Sequence, residues 1–398
     1  MKNTELLGKR LVKALEAVVR VDGNRTDAVQ LHEPRFGGNE SKYLEECLQS
    51  TFVSSVGPFV NRFERDLAEY TGSAYAVALV NGTSALHLAL LLAGVQAHDE
   101  VLVPALTFVA TANAVTYCGA TPHFVDSEEQ TLGMDARVLR SYLASTTDQL
   151  DGRCINRRTG RVIRAMLPMH TFGHPCDVEA LIAVANEFAI CVVEDAAESL
   201  GSNVGGRHTG TFGKLGTLSF NGNKTITTGG GGAILCNELE LYKRAKHLST
   251  TAKIPHAWNF EHDEIGFNYR MPNLNAALGC AQLEQLPSFL AAKRELFVAY
   301  ADALRDIPEV TLVSERQGCQ SNYWLHTLLL APEYAHKRDE ILNECHQAGI
   351  MCRPAWQLMH RLPMYLTAPQ APLTQSESLA ARIINIPSSP WLADKSKS

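Results

Sequence analysis

No Cys-x-x-Cys pair and no cysteine–histidine cluster of zinc spacing occurs in the 398 residues, so a structural zinc site of the common kinds is excluded and no metal is expected. The ten cysteines are scattered, and several, such as Cys191 in Ala189-Ile-Cys-Val-Val193, lie in apolar runs. They read as reduced core residues, not as a disulfide framework. Long hydrophobic runs are missing too: the longest, residues 88–93, cannot cross a bilayer. Lys2, Lys9, Arg10 and Lys13 interrupt the N-terminus before a continuous apolar signal core can form, so a cytoplasmic protein with no membrane partner is expected. Basic runs are also lacking. A net charge of −6 and a pI near 6.2 argue against a nucleic-acid partner, and Arg157, Arg158 and Arg161 read as a solvated loop patch.

What is present is an ordinary globular composition, 45% hydrophobic and 20% charged, in a chain long enough for a large buried core. Leu6, Leu7, Leu11, Leu15 and Val18 recur at helical spacing, and a polar stretch with one short helix around residues 42–49 follows. Residues 1–57 therefore read as an N-terminal helix and an arm that wraps the main domain or a partner subunit. Over residues 58–250, strand-like segments at 75–80, 100–103, 121–125, 162–169, 190–194 and 217–220 alternate with helical ones at 85–93, 110–117 and 178–188. Such alternation implies an α/β domain whose mostly parallel sheet is covered by helices, with ligands bound at the carboxyl ends of the strands. Residues 251–398 change texture, to a long helix at 273–303, strands at 310–313 and 324–330 and a helix at 337–348, as in a smaller C-terminal α+β domain.

Chemistry-bearing residues gather at the predicted strand ends. In Gly216-Thr-Leu-Ser-Phe-Asn-Gly-Asn-Lys-Thr-Ile-Thr-Thr-Gly-Gly-Gly-Gly-Ala233, Lys224 stands between an apolar run and four glycines that let the backbone bend sharply or take positive φ. With hydroxyls around it and no carboxylate adjacent in the chain, the amine reads as a Schiff-base lysine able to attack a carbonyl. The alternative is a solvated hairpin lysine. Asn81-Gly-Thr-Ser84 opens a helix with free N–H groups and two hydroxyls, either a phosphate cradle or plain N-capping. Asp195, at the end of an apolar strand, needs a cation if buried. A protonated pyridine nitrogen would serve, as in pyridoxal phosphate chemistry; an N-cap or structural ion pair is the alternative. Phe108 directly follows the second strand, placed to cover a flat ring or to pack in the core. Ser219 offers a further phosphate hydroxyl. The glycines after Lys224 open a strand, not a helix, which excludes a dinucleotide-binding turn.

Five stretches, Asn81-Gly-Thr-Ser-Ala-Leu86, Pro104-Ala-Leu-Thr-Phe-Val-Ala-Thr-Ala-Asn-Ala114, Val193-Glu-Asp-Ala-Ala-Glu-Ser-Leu-Gly201, Ser219-Phe-Asn-Gly-Asn-Lys-Thr-Ile-Thr-Thr-Gly229 and Gly266-Phe-Asn-Tyr-Arg-Met271, occur in the order in which the DegT/DnrJ/EryC1/StrS family of pyridoxal-phosphate sugar aminotransferases carries them. The chain resembles that family over about residues 30–390. The resemblance implies an aspartate-aminotransferase-like fold (fold type I of pyridoxal 5'-phosphate enzymes) and a homodimer with shared active sites. It also implies a nucleotide-linked keto-sugar as acceptor and L-glutamate, which leaves as 2-oxoglutarate, as donor, for bacterial surface glycan synthesis. By position, Lys224 matches the lysine that carries the cofactor, Asp195 its pyridine-nitrogen partner and Phe108 the stacking aromatic. Gly82, Thr83, Ser84 and Ser219 match phosphate ligands, and Asn268 an asparagine reaching the phosphate from the neighbouring subunit.

Three features depart from the family pattern. Glu198 stands where many relatives carry Gln or His toward the cofactor's phenolic oxygen, and two anionic oxygens repel unless a proton sits between them. Gly230 replaces a common glutamate, and the sequence after Ile386-Pro-Ser-Ser-Pro390 is short of the expected terminal helix. Glu198, Gly230 and the long arm resemble the branch that aminates UDP-linked 4-keto-6-deoxy-N-acetylhexosamine toward bacillosamine or legionaminic acid. A GDP- or dTDP-linked keto-sugar is the alternative. The family's dehydratases carry His at the position of Lys224, which argues against that chemistry. A non-catalytic regulatory relative is the reading from another class.

Overall fold

Seven strands build the main sheet of the computed structural model, which describes residues 5–19 and 28–393. They are β1 (Tyr75–Leu79), β2 (Glu100–Pro104), β3 (Thr121–Val125), β4 (Val162–Met166), β5 (Cys191–Asp195), β6 (Leu215–Ser219) and β7 (Gly232–Cys236). Their order across the sheet is β1-β7-β6-β5-β4-β2-β3. Five of them, β3, β2, β4, β5 and β6, run parallel, and β7 runs antiparallel to both β6 and β1. A hairpin of Thr147–Leu150 and Arg153–Asn156 extends the sheet at the start of β4. Helices cover both faces, so the inner strands are buried throughout, as β2 and β7 are at every residue.

Expected boundaries hold to within a few residues, and the shifts have local causes. The first covering helix, α4 (Gly82–Leu92, after α1 Glu5–Val19, α2 Glu40–Ser50 and α3 Pro58–Thr71), starts earlier than the apolar run because Asn81 Oδ1 accepts the Ser84 N–H at 2.7 Å. The next helix, α5 (Val109–Tyr117), begins directly after Phe108. Strand β4 stops at Met166, just before the donor-less Pro168. The strand expected at 324–330 begins only at His326, because Tyr323 lies in the left-handed region at φ 47°. Of the four glycines after Lys224 only Gly229 takes positive φ. Gly232 is required for close approach instead: a Cβ there would come within 2.5 Å of the Asn81 carbonyl group.

A second, antiparallel sheet takes the order Val310–Leu312, His326–Leu330, Ile383–Ile386, Arg353–Pro354. The 31-residue helix α6 (Asn273–Ala303) spans both sheets. Its first half packs Ala276, Ala277 and Cys280 against Leu218 and Ala233 of the main sheet. Its second half packs Leu296 and Tyr300 against Leu328, Leu330 and Ile384. Leu7, Leu11 and Leu15 of α1 join that second core, so the N-terminal helix docks on the smaller sheet. The arm continues with Val29 bridged to Ile350; residues 20–27, and Lys2 and the Leu6 side chain at the start of the expected helix, lie outside the described residues. Among the described residues no helix is long and apolar enough to cross a membrane.

Lys293, in the middle of α6, is fully buried. Its Nζ donates to the carbonyls of Tyr323, Trp324 and Ser388 at 3.3, 3.1 and 2.6 Å, and burial lowers its affinity for the proton. Glu194 near the end of β5 is equally buried. Its carboxylate accepts the N–H groups of Gly210, Phe212 and Gly213 at 2.8, 2.6 and 2.7 Å and His170 Nε2 at 3.0 Å. Cys176 N–H donates to the other ring nitrogen of His170, which leaves Nε2 to carry the proton toward Glu194.

Burial alone would raise the Glu194 pKa, but His170 and the loop amides outweigh it and hold the group below 4.5. Because the folded value is depressed, its contribution to stability is present above the unfolded carboxyl range and is lost as pH falls through the folded value. Glu194→Gln should cost about 3 kcal/mol in urea unfolding near neutral pH, and the gap from the wild type should close as the pH is lowered.

Candidate active site

The carboxyl ends of β1, β5 and β6 and the start of α5 surround a cavity of about 280 Å³. From β1 come Asn81, Gly82 and Thr83, where α4 begins, so the positive end of the helix dipole faces the space. Phe108 enters from just before α5 and Thr111 from its first turn, Asp195 ends β5 with Glu198 after it, and Ser219 ends β6 with Lys224 after it. The smaller sheet closes the mouth with Trp324 and Trp356.

Asp195 and Glu198 are 2% and 3% exposed. Asp195 accepts the Thr111 hydroxyl at 2.8 Å and the Ala197 N–H at 3.2 Å, yet among the described residues no basic nitrogen comes within ion-pair range. Burial raises its pKa, opposed by the Thr111 and Ala197 hydrogen bonds. A buried carboxylate aimed into a cavity without its own cation suits a protonated ring nitrogen. Beside it the N-terminus of α4, with the hydroxyls of Thr83 and Ser219, suits a phosphate. These residues fit pyridoxal phosphate.

Lys224 Nζ donates to Glu198 Oε1 at 3.1 Å and lies 3.9 Å from the centre of the Trp324 ring. The expectation that no carboxylate stands beside the lysine is corrected here: Glu198, distant in sequence, is brought to it by the parallel pairing of β5 and β6. The other oxygen, Oε2, accepts the Phe172 N–H at 2.9 Å. Burial pushes Glu198 up to about 7 against the attraction of Lys224.

Lys224, Asp195, Glu198, Gly82, Thr83, Phe108 and Ser219 thus come together around one cavity. Phe108 is 48% exposed, with its ring 6.2 Å from that of Trp356, which excludes simple core packing. Ser84 lies one residue beyond the lining and gives its N–H to the Asn81 cap. Asn268 is exposed, bridged to Thr250 outside this chain's cavity. Thr111, Met169 and Asn221 also line the space and were not foreseen from the sequence. For Thr111 a signal existed: it falls in the first turn of the helix that opens directly after Phe108, so it lies at the same strand end.

A parallel-centred sheet with one reversed strand, a lysine after β6 and a carboxylate after β5 define a pyridoxal-phosphate enzyme of fold type I. The profile of the DegT/DnrJ/EryC1/StrS aminotransferase family matches residues 34–397, and the chain belongs to that family. It is a pyridoxal 5'-phosphate-dependent sugar aminotransferase. It is similar to GDP-perosamine synthase of Escherichia coli O157:H7, with 38% identity over 92% of this chain and 95% of the relative. It is also similar to dTDP-4-dehydro-2,3,6-trideoxy-D-glucose 4-aminotransferase of Saccharopolyspora spinosa, at 30% over 92% of this chain and 93% of the relative. A crystal structure of a family member from Brucella abortus superposes with a TM-score of 0.80 at 27% identity, covering 90% of this chain and 93% of that one.

Asp195→Ala should leave circular dichroism and the melting profile near those of the wild type and lower transamination by about 10²-fold or more. Titrating pyridoxal phosphate by absorbance should show weakened retention alongside the lost rate.

Proposed function

We propose that the chain transfers an amino group from L-glutamate to a GDP-linked keto-sugar, in a step of surface polysaccharide synthesis. The observation that carries the reading is Lys224, Asp195 and Glu198 converging on one cavity in a chain 38% identical to a GDP-perosamine synthase. That likeness favours the GDP alternative over the UDP-linked N-acetylhexosamine expected from Glu198, Gly230 and the arm.

Pyridoxal phosphate supplies an electrophilic carbonyl and a ring that withdraws electrons. In this reading Lys224 Nζ holds it covalently at rest and, once freed, takes and returns the proton at the substrate carbon. Asp195 keeps the ring nitrogen protonated, and Phe108 covers one ring face. Gly82, Thr83 and Ser219 orient the phosphate from the first turn of α4 and the end of β6, while Ser84, next along, holds the Asn81 cap that opens the helix. Trp324 and Trp356 narrow the mouth against water. The dimer expected from the family resemblance is supported by Trp258, Phe260 and Ile265, which are 77%, 80% and 87% exposed on the segment leading to Asn268. Apolar side chains at that exposure call for a cover, which this reading assigns to a second copy, with Asn268 in the role that the family resemblance implies at the neighbouring phosphate.

Product mass spectrometry with L-glutamate and a panel of GDP-, UDP- and dTDP-linked keto-sugars tests the substrate. The GDP-linked sugar should be aminated at least about tenfold faster by kcat/KM, a difference of roughly 1.4 kcal/mol. Amination confined to the UDP-linked sugar would overturn the nucleotide assignment. Lys224→Ala should abolish turnover with every sugar while the protein stays folded.

A further inference from the structure

The Lys224–Glu198 contact does more than occupy a cofactor corner. We propose that Glu198 is the proton partner of Lys224, taking the ammonium proton when the amine must act as nucleophile or base and handing it back afterwards. The inference rests on the pyridoxal-phosphate reading of the site and adds to it a role for one side chain.

Three features of the geometry point this way. First, the hydrogen bond is direct, Nζ to Oε1 at 3.1 Å, with side-chain exposure of 13% for the lysine and 1% for the glutamate. Second, the two oxygens of Glu198 are divided: the Phe172 N–H holds Oε2, and Oε1 is left for the lysine. Phe172 makes that contact from the left-handed region, at φ 55° and ψ 17°, a conformation a bulky side chain adopts only under constraint from its surroundings. The neighbouring chain is tied down as well, because Asn322 Nδ2 donates to the carbonyls of Glu198 and Leu200 at 2.9 Å each. Third, the other neighbour of Nζ is the Trp324 ring, which attracts an ammonium but accepts no proton.

The transfer balances within the pair. One Nζ–H bond breaks, one Oε1–H bond forms, and an ion pair becomes a neutral carboxyl and a neutral amine with no proton entering from solvent. A buried site of low dielectric narrows the gap between these two forms. Burial already moves Glu198 in this direction, up to about 7. The charged and titratable groups bearing on the pair are Asp195, whose charge raises Glu198, and His32 of the arm, which burial keeps neutral and which Lys224 and Lys293 disfavour further as a cation.

The test follows carbonyl capture by the cofactor-free full chain across pH. Pyridoxal phosphate is added, the adduct is trapped with borohydride, and the Lys224 peptide is quantified by mass spectrometry. In the wild type capture should rise as Glu198 ionises near pH 7 and then level off. In Glu198→Gln the amine must lose its proton to water, so the midpoint should move up by about one unit or more and capture at pH 7.5 should fall about tenfold. Glu198→Asp keeps an acceptor one methylene short, and its curve should lie between the two.

A carboxylate that merely stabilises the ammonium predicts the opposite sign, because removing it would favour the neutral amine. A Gln curve that stays in place or moves down therefore overturns the inference while leaving the cofactor reading intact. Absence of any trapped adduct on wild-type Lys224 would overturn that reading, and this inference with it.

Discussion

A strand that ends in two carboxylates must send them to opposite faces, and β5 does so with Glu194 and Asp195. Neither can be buried as a bare charge, and the chain meets that cost in two ways. Glu194 is saturated by protein groups, three amides of the 210–213 loop and one imidazole. The loop is thereby fixed at the entrance to β6, whose other end delivers Lys224. Asp195, one residue on, receives only a hydroxyl and one amide. The face that is fully satisfied is the structural one, and the face left short of a cation is the one that opens on the cavity. The same peptide unit thus anchors the fold and leaves an electrostatic demand for a ligand to meet.

The second demand is conformational. Phe172 and Tyr323 both occupy the left-handed region, at φ 55° and 47°, which costs on the order of 1–2 kcal/mol apiece for side chains of that kind. Each is held by bonds that require the geometry. Phe172 N–H reaches Glu198 and its carbonyl accepts from the Leu325 amide, while the Tyr323 carbonyl accepts from buried Lys293. The strained residues therefore lie on the seam between the two sheets. They carry the constraint from α6 to the pair of groups at the mouth of the cavity.

Much of this was legible before the fold. The sequence of apolar strand, glycine–hydroxyl turn and helix located Gly82 and Thr83, and the run ending at Asp195 located the carboxylate, because strand ends are where such folds bind ligands. Long-range pairings were not legible. Glu198 and Lys224 meet only because β5 and β6 are parallel neighbours, and no local pattern records sheet order. Two elements also escaped: the helix Ala136–Thr146, although Leu139 and Leu143 recur at helical spacing on its buried face, and the hairpin beyond it, which carries few apolar side chains. Leu139, Leu143 and Cys154 pack with Leu102, Val125 and Ile163 of the main sheet, and for the hairpin that long-range packing, not local pattern, supplies the stability. The meeting of Trp324 and Trp356 at one mouth likewise depends on how the smaller sheet docks.

That docking decides what the lysine can do. Its two neighbours come from different sheets, Glu198 from the loop after β5 and Trp324 from the approach to the strand His326–Leu330. Trp324 is fixed from both sides: its indole N–H donates to the Asn223 carbonyl at 2.6 Å, and its own carbonyl accepts from Lys293. Asn223 immediately precedes Lys224, so the ring that flanks the amine is bonded to the backbone that presents it. Glu198 is tied to the same segment, since Asn322 donates from its Nδ2 to the Glu198 carbonyl at 2.9 Å and accepts the Trp324 N–H on its Oδ1 at 2.8 Å, so both neighbours of the amine are bonded to the approach to that strand.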